Sequence, residues 1–171
     1  MSKSPDNLAR TVMTDPVHVL AFGFGSGLAP FAPGTFGSLP GVLLFWLTLN
    51  LGLYVQFGIA VVLVIAGIWI CGESAKRLGI HDHGGIVWDE IAGMYLTLFA
   101  APFSVAGWLL AFVLFRAADI VKPWPIRDLD HRLGGGVGIM LDDLVAALYA
   151  ALALGLYRCC LLYTSPSPRD L

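Results

Sequence analysis

Long apolar stretches alternate with three short polar islands along this chain. Val42–Cys71 is almost wholly apolar, broken by Thr48, Asn50, Gln56 and scattered glycines. Ile91–Phe115 carries no charge, and Ile139–Tyr157 is apolar apart from Asp142, Asp143 and two tyrosines. A helix that is apolar on all sides is either buried or in lipid, and no period-two alternation marks a strand. The pattern predicts an all-α fold: a compact multi-helix membrane-associated bundle with short apolar helical hairpins and Gly-rich polar loops. Helices are expected over about 39–50 and 53–78, with a turn at Asn50-Leu51-Gly52. Pro102 divides Ile91–Phe115, either as a kink in one span or as a break between two short helices. Ile139–Tyr157 reads as one helix, with Asp142 and Asp143 near its N-terminus, where the helix dipole favours acids.

Composition sharpens this picture. The chain has 171 residues, 57% of them hydrophobic and only 13% charged. Soluble domains are nearer 25% charged, so the balance points to a membrane protein. The formal net charge of -2 gives no basic field for nucleic acid. Cys71, Cys159 and Cys160 form no CxxC pattern and suggest neither a disulfide framework nor a zinc site. Met1–Pro16 lacks the basic start and apolar core of a signal peptide. Residues 1–20 are expected as a flexible arm, 21–157 as a single helical domain, and 158–171 as a disordered or foreign tail, because a Ser/Pro run replaces the helical pattern there.

The charge that exists is concentrated in the islands. The first, Phe22–Gly41, is rich in Gly and Pro and cannot be regular helix throughout. Glycines let backbone N–H groups approach an anion closely. Gly34 with the hydroxyls of Ser26 and Thr35 is therefore a candidate phosphate cradle, although no Walker A sequence occurs. The second island, "HDHGGIVWDE", spans His81–Glu90. Asp82, Asp89 and Glu90 offer the hard oxygen ligands that Mg²⁺ prefers. Neighbouring helical residues point about 100° apart. Asp89 is therefore expected as the direct ligand and Glu90 as a ligand or general base. His81 and His83 beside carboxylates are a weak zinc signal, and His83 is a second candidate base.

The third island runs from Phe115 to Asp143. Arg116, Asp119 and Lys122 fall at i, i+3 and i+6 and share one helix face. Cations there suit phosphate oxygens, and Asp142 and Asp143 are further metal-ligand candidates. Together the islands hold the inventory of a Mg²⁺-assisted phosphate site. They can meet only if both apolar stretches fold back as hairpins, so Pro102 is expected to separate two helices. Lys76, Arg77, Arg116, Lys122, Arg127 and Arg132 then share one face, and the positive-inside rule makes that face cytoplasmic.

Four segments, "GFGSGLAPFAPGTFGS", "HDHGGIVWDEIAGM", "FRAADIVKPWPIRDLD" and "GGGVGIMLDD", occur in the order seen in a known family. Over about Ala21 to Tyr157 the chain resembles phosphatidylglycerophosphatase A, a family of bacterial Mg²⁺-dependent lipid phosphatases. The resemblance implies hydrolysis of phosphatidylglycerophosphate to phosphatidylglycerol and inorganic phosphate at the inner membrane. It maps the family's acidic residues onto Asp82, Asp89, Glu90, Asp119, Asp142 and Asp143. The assignment to be tested has Asp89, Glu90, Asp119 and His83 in catalysis. Arg116, Lys122, Ser26, Thr35 and Gly34 take the phosphate, and Asp82, Asp89, Asp142 and Asp143 take Mg²⁺. A phosphocysteine route is excluded because Cys71 lies inside an apolar helical stretch and Cys159 and Cys160 lie in the tail. Metal-activated water is favoured over an aspartate nucleophile. The partners expected are a phospholipid substrate and the bilayer. The rival reading is a small transporter or ion-binding protein, which would place its charges mid-helix.

Overall fold

The structure, a computed structural model, describes residues 5–80, 83–122 and 134–164. Among these residues every regular element is helical. Helices α1 (Pro5–Thr14) and α2 (Pro16–Ala21) occupy the segment expected as an arm. They are packed, with Val12, Val17 and His18 buried. Asp15 joins them: one carboxylate oxygen accepts the Val17 N–H at 2.9 Å, and the other pairs with Arg77 at 2.7 Å.

A 3-10 segment, Gly23–Leu28, leads to α3 (Pro33–Thr48), which starts earlier than expected. Pro33 is tolerated at its first turn because the missing N–H has no intrahelical partner there. Gly34, Gly37, Ser38 and Gly41 form a buried face of small residues. At Gly37 a Cβ would collide with Val87, and at Gly41 with the Ile91 backbone. The glycines that argued against a helix therefore serve close helix packing, as small residues do between apolar helices.

Helix α4 (Leu53–Leu78) follows a turn at Gly52, whose φ of 80° suits glycine. The next helices are α5 (Trp88–Leu98) and α6 (Val105–Val121). Residues 99–104 separate them, and the Ser104 side chain accepts the Gly107 N–H at 3.0 Å as an N-cap. The expected break at Pro102 is thus a hairpin. Helix α7 (Gly135–Thr164) continues past Tyr157, because no helix breaker occurs before Pro166.

Helix α5 is the centre of the bundle and packs against α3, α4, α6 and α7. Met94, Tyr95 and Leu98 are essentially inaccessible. Leu49, Phe103 and Ser104 line one cavity with Trp46 and Trp108, so the α3–α4 and α5–α6 turns lie together at one end. Pro33–Leu51, Leu53–Leu78 and Gly135–Cys160 are long and apolar enough to cross a membrane. Their outward faces carry exposed Leu43, Val62, Ile65, Trp69 and Leu152, as expected of a protein in lipid.

Candidate active site

At the end opposite the two turns, the starts of α3, α5 and α7 meet the end of α6. Asp89 and Glu90 lie in the first turn of α5. Asp143 lies early in α7. One carboxylate oxygen from each of these three residues lies within 4.8 Å of the others. Asp89 is buried at 9% exposure and Asp143 at 3%. The Glu90 N–H donates to Asp89 Oδ1 at 3.1 Å.

Arg116, near the end of α6, faces this cluster. Its Nη1 lies 2.6 Å from Asp119 Oδ2 and 3.8 Å from Glu90 Oε1. Gly34 closes the same space from α3: a Cβ there would collide with Glu90 Oε1 and crowd the Arg116 guanidinium. All three sequence islands thus contribute to one locus. Lys122 ends α6 in a left-handed conformation, φ 44°, which costs energy for a residue with a Cβ. Its Nζ pairs with Asp142 Oδ2 at 2.8 Å.

Acidic side chains outnumber basic ones in this cluster, where Arg116 faces Asp89, Glu90, Asp119 and Asp143. Among the described residues, Glu90 Oε2, Asp143 Oδ2 and Arg116 Nε are buried without a hydrogen-bond partner. Burial, and then the charge of Asp89, push the Glu90 carboxyl well above the usual glutamate range. Crowded carboxylates cannot all ionise in a buried site unless a cation neutralises them. An all-oxygen donor set of this kind fits Mg²⁺.

The structure brings some of the expected site residues together and places others apart. Glu90, expected as a ligand or general base beside the more direct ligand Asp89, converges with Asp89 and Asp143 despite the offset of about 100° between helical neighbours. Glu90 is longer by one methylene and reaches across the offset. Asp142, expected as a metal ligand, pairs with Lys122. The histidine expected as a base, His83, turns to its own loop: Nδ1 accepts the Gly85 N–H at 3.0 Å, and the ring packs on Phe22. Ser26 donates to the Gly23 carbonyl at 2.9 Å, within its own turn. Thr35 is half-buried, next to Gly34. Asp82, Arg127 and Arg132 lie outside the described residues.

Two neighbours had no sequence signal. Cys71, inside apolar α4, lies with its thiol against the Asp89 backbone amide. His18 Nδ1 and Ser74 Oγ are 2.8 Å apart in the core between α2 and α4. Each sits within an otherwise helical or apolar pattern, and only the three-dimensional packing gives it a partner.

The pattern of the family described as Phosphatidylglycerophosphatase A matches residues 19–158. This match runs through all the helices that build the site. The chain belongs to the phosphatidylglycerophosphatase A family. It is 47% identical over 145 residues to phosphatidylglycerophosphatase A of Escherichia coli strain K12, covering 84% of each chain. It is 44% identical to the Haemophilus influenzae protein of the same name, covering 86% of this chain and 91% of that one. A third relative, from Bacteroides thetaiotaomicron, is 35% identical over 82% of this chain and 92% of its own length, and is named as a candidate phosphatidylinositol-3-phosphatase. No solved structure matches the chain.

Proposed function

We propose that the protein hydrolyses the phosphomonoester of phosphatidylglycerophosphate to phosphatidylglycerol and inorganic phosphate, with Mg²⁺, at the cytoplasmic face of the bacterial inner membrane. The observation that carries this reading is the convergence of Asp89, Glu90 and Asp143 within 4.8 Å, beside Arg116, at one end of an apolar bundle. Two relatives bear the name of that activity. The placement also speaks against a transporter, because the charges gather at helix ends rather than mid-span.

Asp89, Glu90 and Asp143 would hold the Mg²⁺. When bound, the ion neutralises phosphoryl charge and lowers the pKa of water. Arg116 clamps the phosphate oxygens, and Asp119 orients its guanidinium through their 2.6 Å pair. The approach at Gly34 leaves room for phosphate where any side chain would intrude. Glu90 Oε2, buried and without a partner, accepts the proton of the attacking water, so Glu90 serves in both sets. Lys122, held by Asp142, adds positive charge at the rim. Lys76 and Arg77, in the last turn of α4, add basic charge that supports a cytoplasmic orientation.

The test is phosphate release from phosphatidylglycerophosphate in mixed micelles, with Mg²⁺ or with chelator, for the wild type and Asp89→Asn. Phosphatidylinositol 3-phosphate serves as a second substrate. The expected result is Mg²⁺-dependent release by the wild type, at least about 100-fold lower in Asp89→Asn, with phosphatidylglycerophosphate preferred. Equal activity in both proteins removes Asp89 from the mechanism. Chelator-resistant activity removes the metal, and preference for the inositol lipid reassigns the substrate.

A further inference from the structure

We propose that the apolar groove between α3, α4 and α5 is the subsite for an acyl chain of the lipid substrate. This rests on the lipid-phosphatase reading above. The groove starts beside the acids: Trp88 and Ile91 line it, and in sequence they bracket Asp89 and Glu90. At i and i+3 these two residues share one face of α5. The face they form is turned towards α3 and α4, while Glu90 points to α6.

The opposite walls are Pro40, Leu43 and Leu47 of α3 and Leu63 of α4, enclosing about 210 Å³. Trp88 is fixed as a wall, because its indole N–H donates to the Leu63 carbonyl at 3.0 Å. Pro40 and Leu43 also line a more open cavity of about 620 Å³ with Leu28, Phe36 and Leu39. The two cavities therefore adjoin along α3.

The dimensions suit a chain hanging from a phosphate at the carboxylates. Gly34, which adjoins Glu90 and Arg116, and Leu47 lie on the same helix, roughly 20 Å apart at 1.5 Å per residue. One leaflet is about half of the ~30 Å hydrocarbon core. Measured along the helix axis, the far end of the groove is thus about one leaflet's depth from a headgroup held by Arg116. Elsewhere the lipid-facing surface differs. Val62 and Ile65 on α4 are exposed but line neither cavity.

Two substrates with the same headgroup separate the chain from the chemistry: dioleoyl and water-soluble dihexanoyl phosphatidylglycerophosphate. Leu43→Trp fills the groove and is expected to lower kcat/KM for the dioleoyl lipid about tenfold or more. Activity on the dihexanoyl lipid stays near wild type, which also shows that the variant folds. Val62→Trp is expected to leave both unchanged. Equal loss on both substrates by a folded Leu43→Trp, or no loss on the dioleoyl lipid, overturns the proposal.

A second measurement needs neither folding of a variant nor turnover. Wild-type protein is photolabelled by phosphatidylglycerophosphate carrying a diazirine at the end of one acyl chain. Label is expected on residues 40–47 and is expected to be displaced by unlabelled phosphatidylglycerophosphate but not by phosphatidylcholine. Equal labelling around Val62 and Ile65, or equal displacement by both lipids, overturns the subsite. If the wild type releases no phosphate from either substrate, the phosphatase reading fails while the labelling still decides the groove.

Discussion

Glu90 meets three demands at once: it is buried, it shares space with two other carboxylates, and it lies 3.8 Å from Arg116. Its carboxyl is held well above the ordinary range. Above about pH 4.5, near the ordinary glutamate pKa, the unfolded chain releases a proton that the metal-free folded protein retains. Stability of the metal-free protein therefore falls as pH rises from there through the raised pKa. Glu90→Gln cannot ionise. It is expected to melt several degrees higher than wild type in chelator at pH 7, with a flatter pH dependence, while phosphate release drops at least about 100-fold. Thermal melts at several pH values check this; equal slopes for the two proteins contradict it. Gly34→Ala probes the same space differently. The new methyl meets only the tips of the Glu90 and Arg116 side chains, which can move. The fold is expected to survive, whereas displacement of those groups by about 1 Å costs up to 100-fold in activity. Circular dichroism alongside the phosphate assay separates the two effects. At this scale the sequence revealed the residue types but not their pairings. Asp89 and Glu90 were legible from the motif, whereas the pairing of Asp142 with Lys122 depends on how α6 and α7 are placed.

Helix contacts in this protein depend on missing side chains. At Gly136, on α7, a Cβ would collide with the Ile68 backbone carbonyl of α4 and crowd Gly72. Backbone atoms cannot step aside, so Gly136→Ala is expected to destabilise by about 1–3 kcal/mol. Gly58, on α4, faces open space. Gly58→Ala is expected to be neutral or stabilising by up to about 1 kcal/mol, through helix propensity alone. Denaturant unfolding in one detergent ranks the two; the reverse order would contradict the close α4–α7 packing. The hairpins at Gly52 and Pro102 were readable because breakers interrupt apolar runs. The start of α3 was not, since Gly and Pro ordinarily signal a loop. Propensity yields there to the gain from bringing two backbones close together. The packing of the N-terminal segment was not legible either: α1 packs on its neighbour α2 and α2 on the distant α4, which buries Val12, Val17 and Ala21.

For the whole molecule, the gathering of all three islands at one end makes a topological prediction. Gly84 and Gly134 are both exposed and flank the site. Single cysteines at these positions, in a variant lacking the native cysteines, are expected to react with an impermeant thiol reagent only from the cytoplasmic side of oriented vesicles. Tyr54, at the opposite end, is expected to differ. Labelling of Gly84 and Gly134 from opposite sides would separate the islands and dismantle the site. Composition made the membrane class legible, with mean hydropathy of +0.78, and the charge-bearing loops made one functional end legible. Hydropathy alone left open whether Ile91–Phe115 crosses once or turns back, because both satisfy an apolar environment. The central position of α5 carries a consequence for biosynthesis. With 11 residues, the helix is roughly 16 Å long, about half the hydrocarbon thickness. It carries Asp89 and Glu90, each unfavourable for insertion as an isolated segment. As the ribosome delivers it, α5 has no independent claim to the bilayer. Its insertion is expected to depend on α6 and α7, so that the segment bearing Asp89 and Glu90 joins the bundle only with those helices.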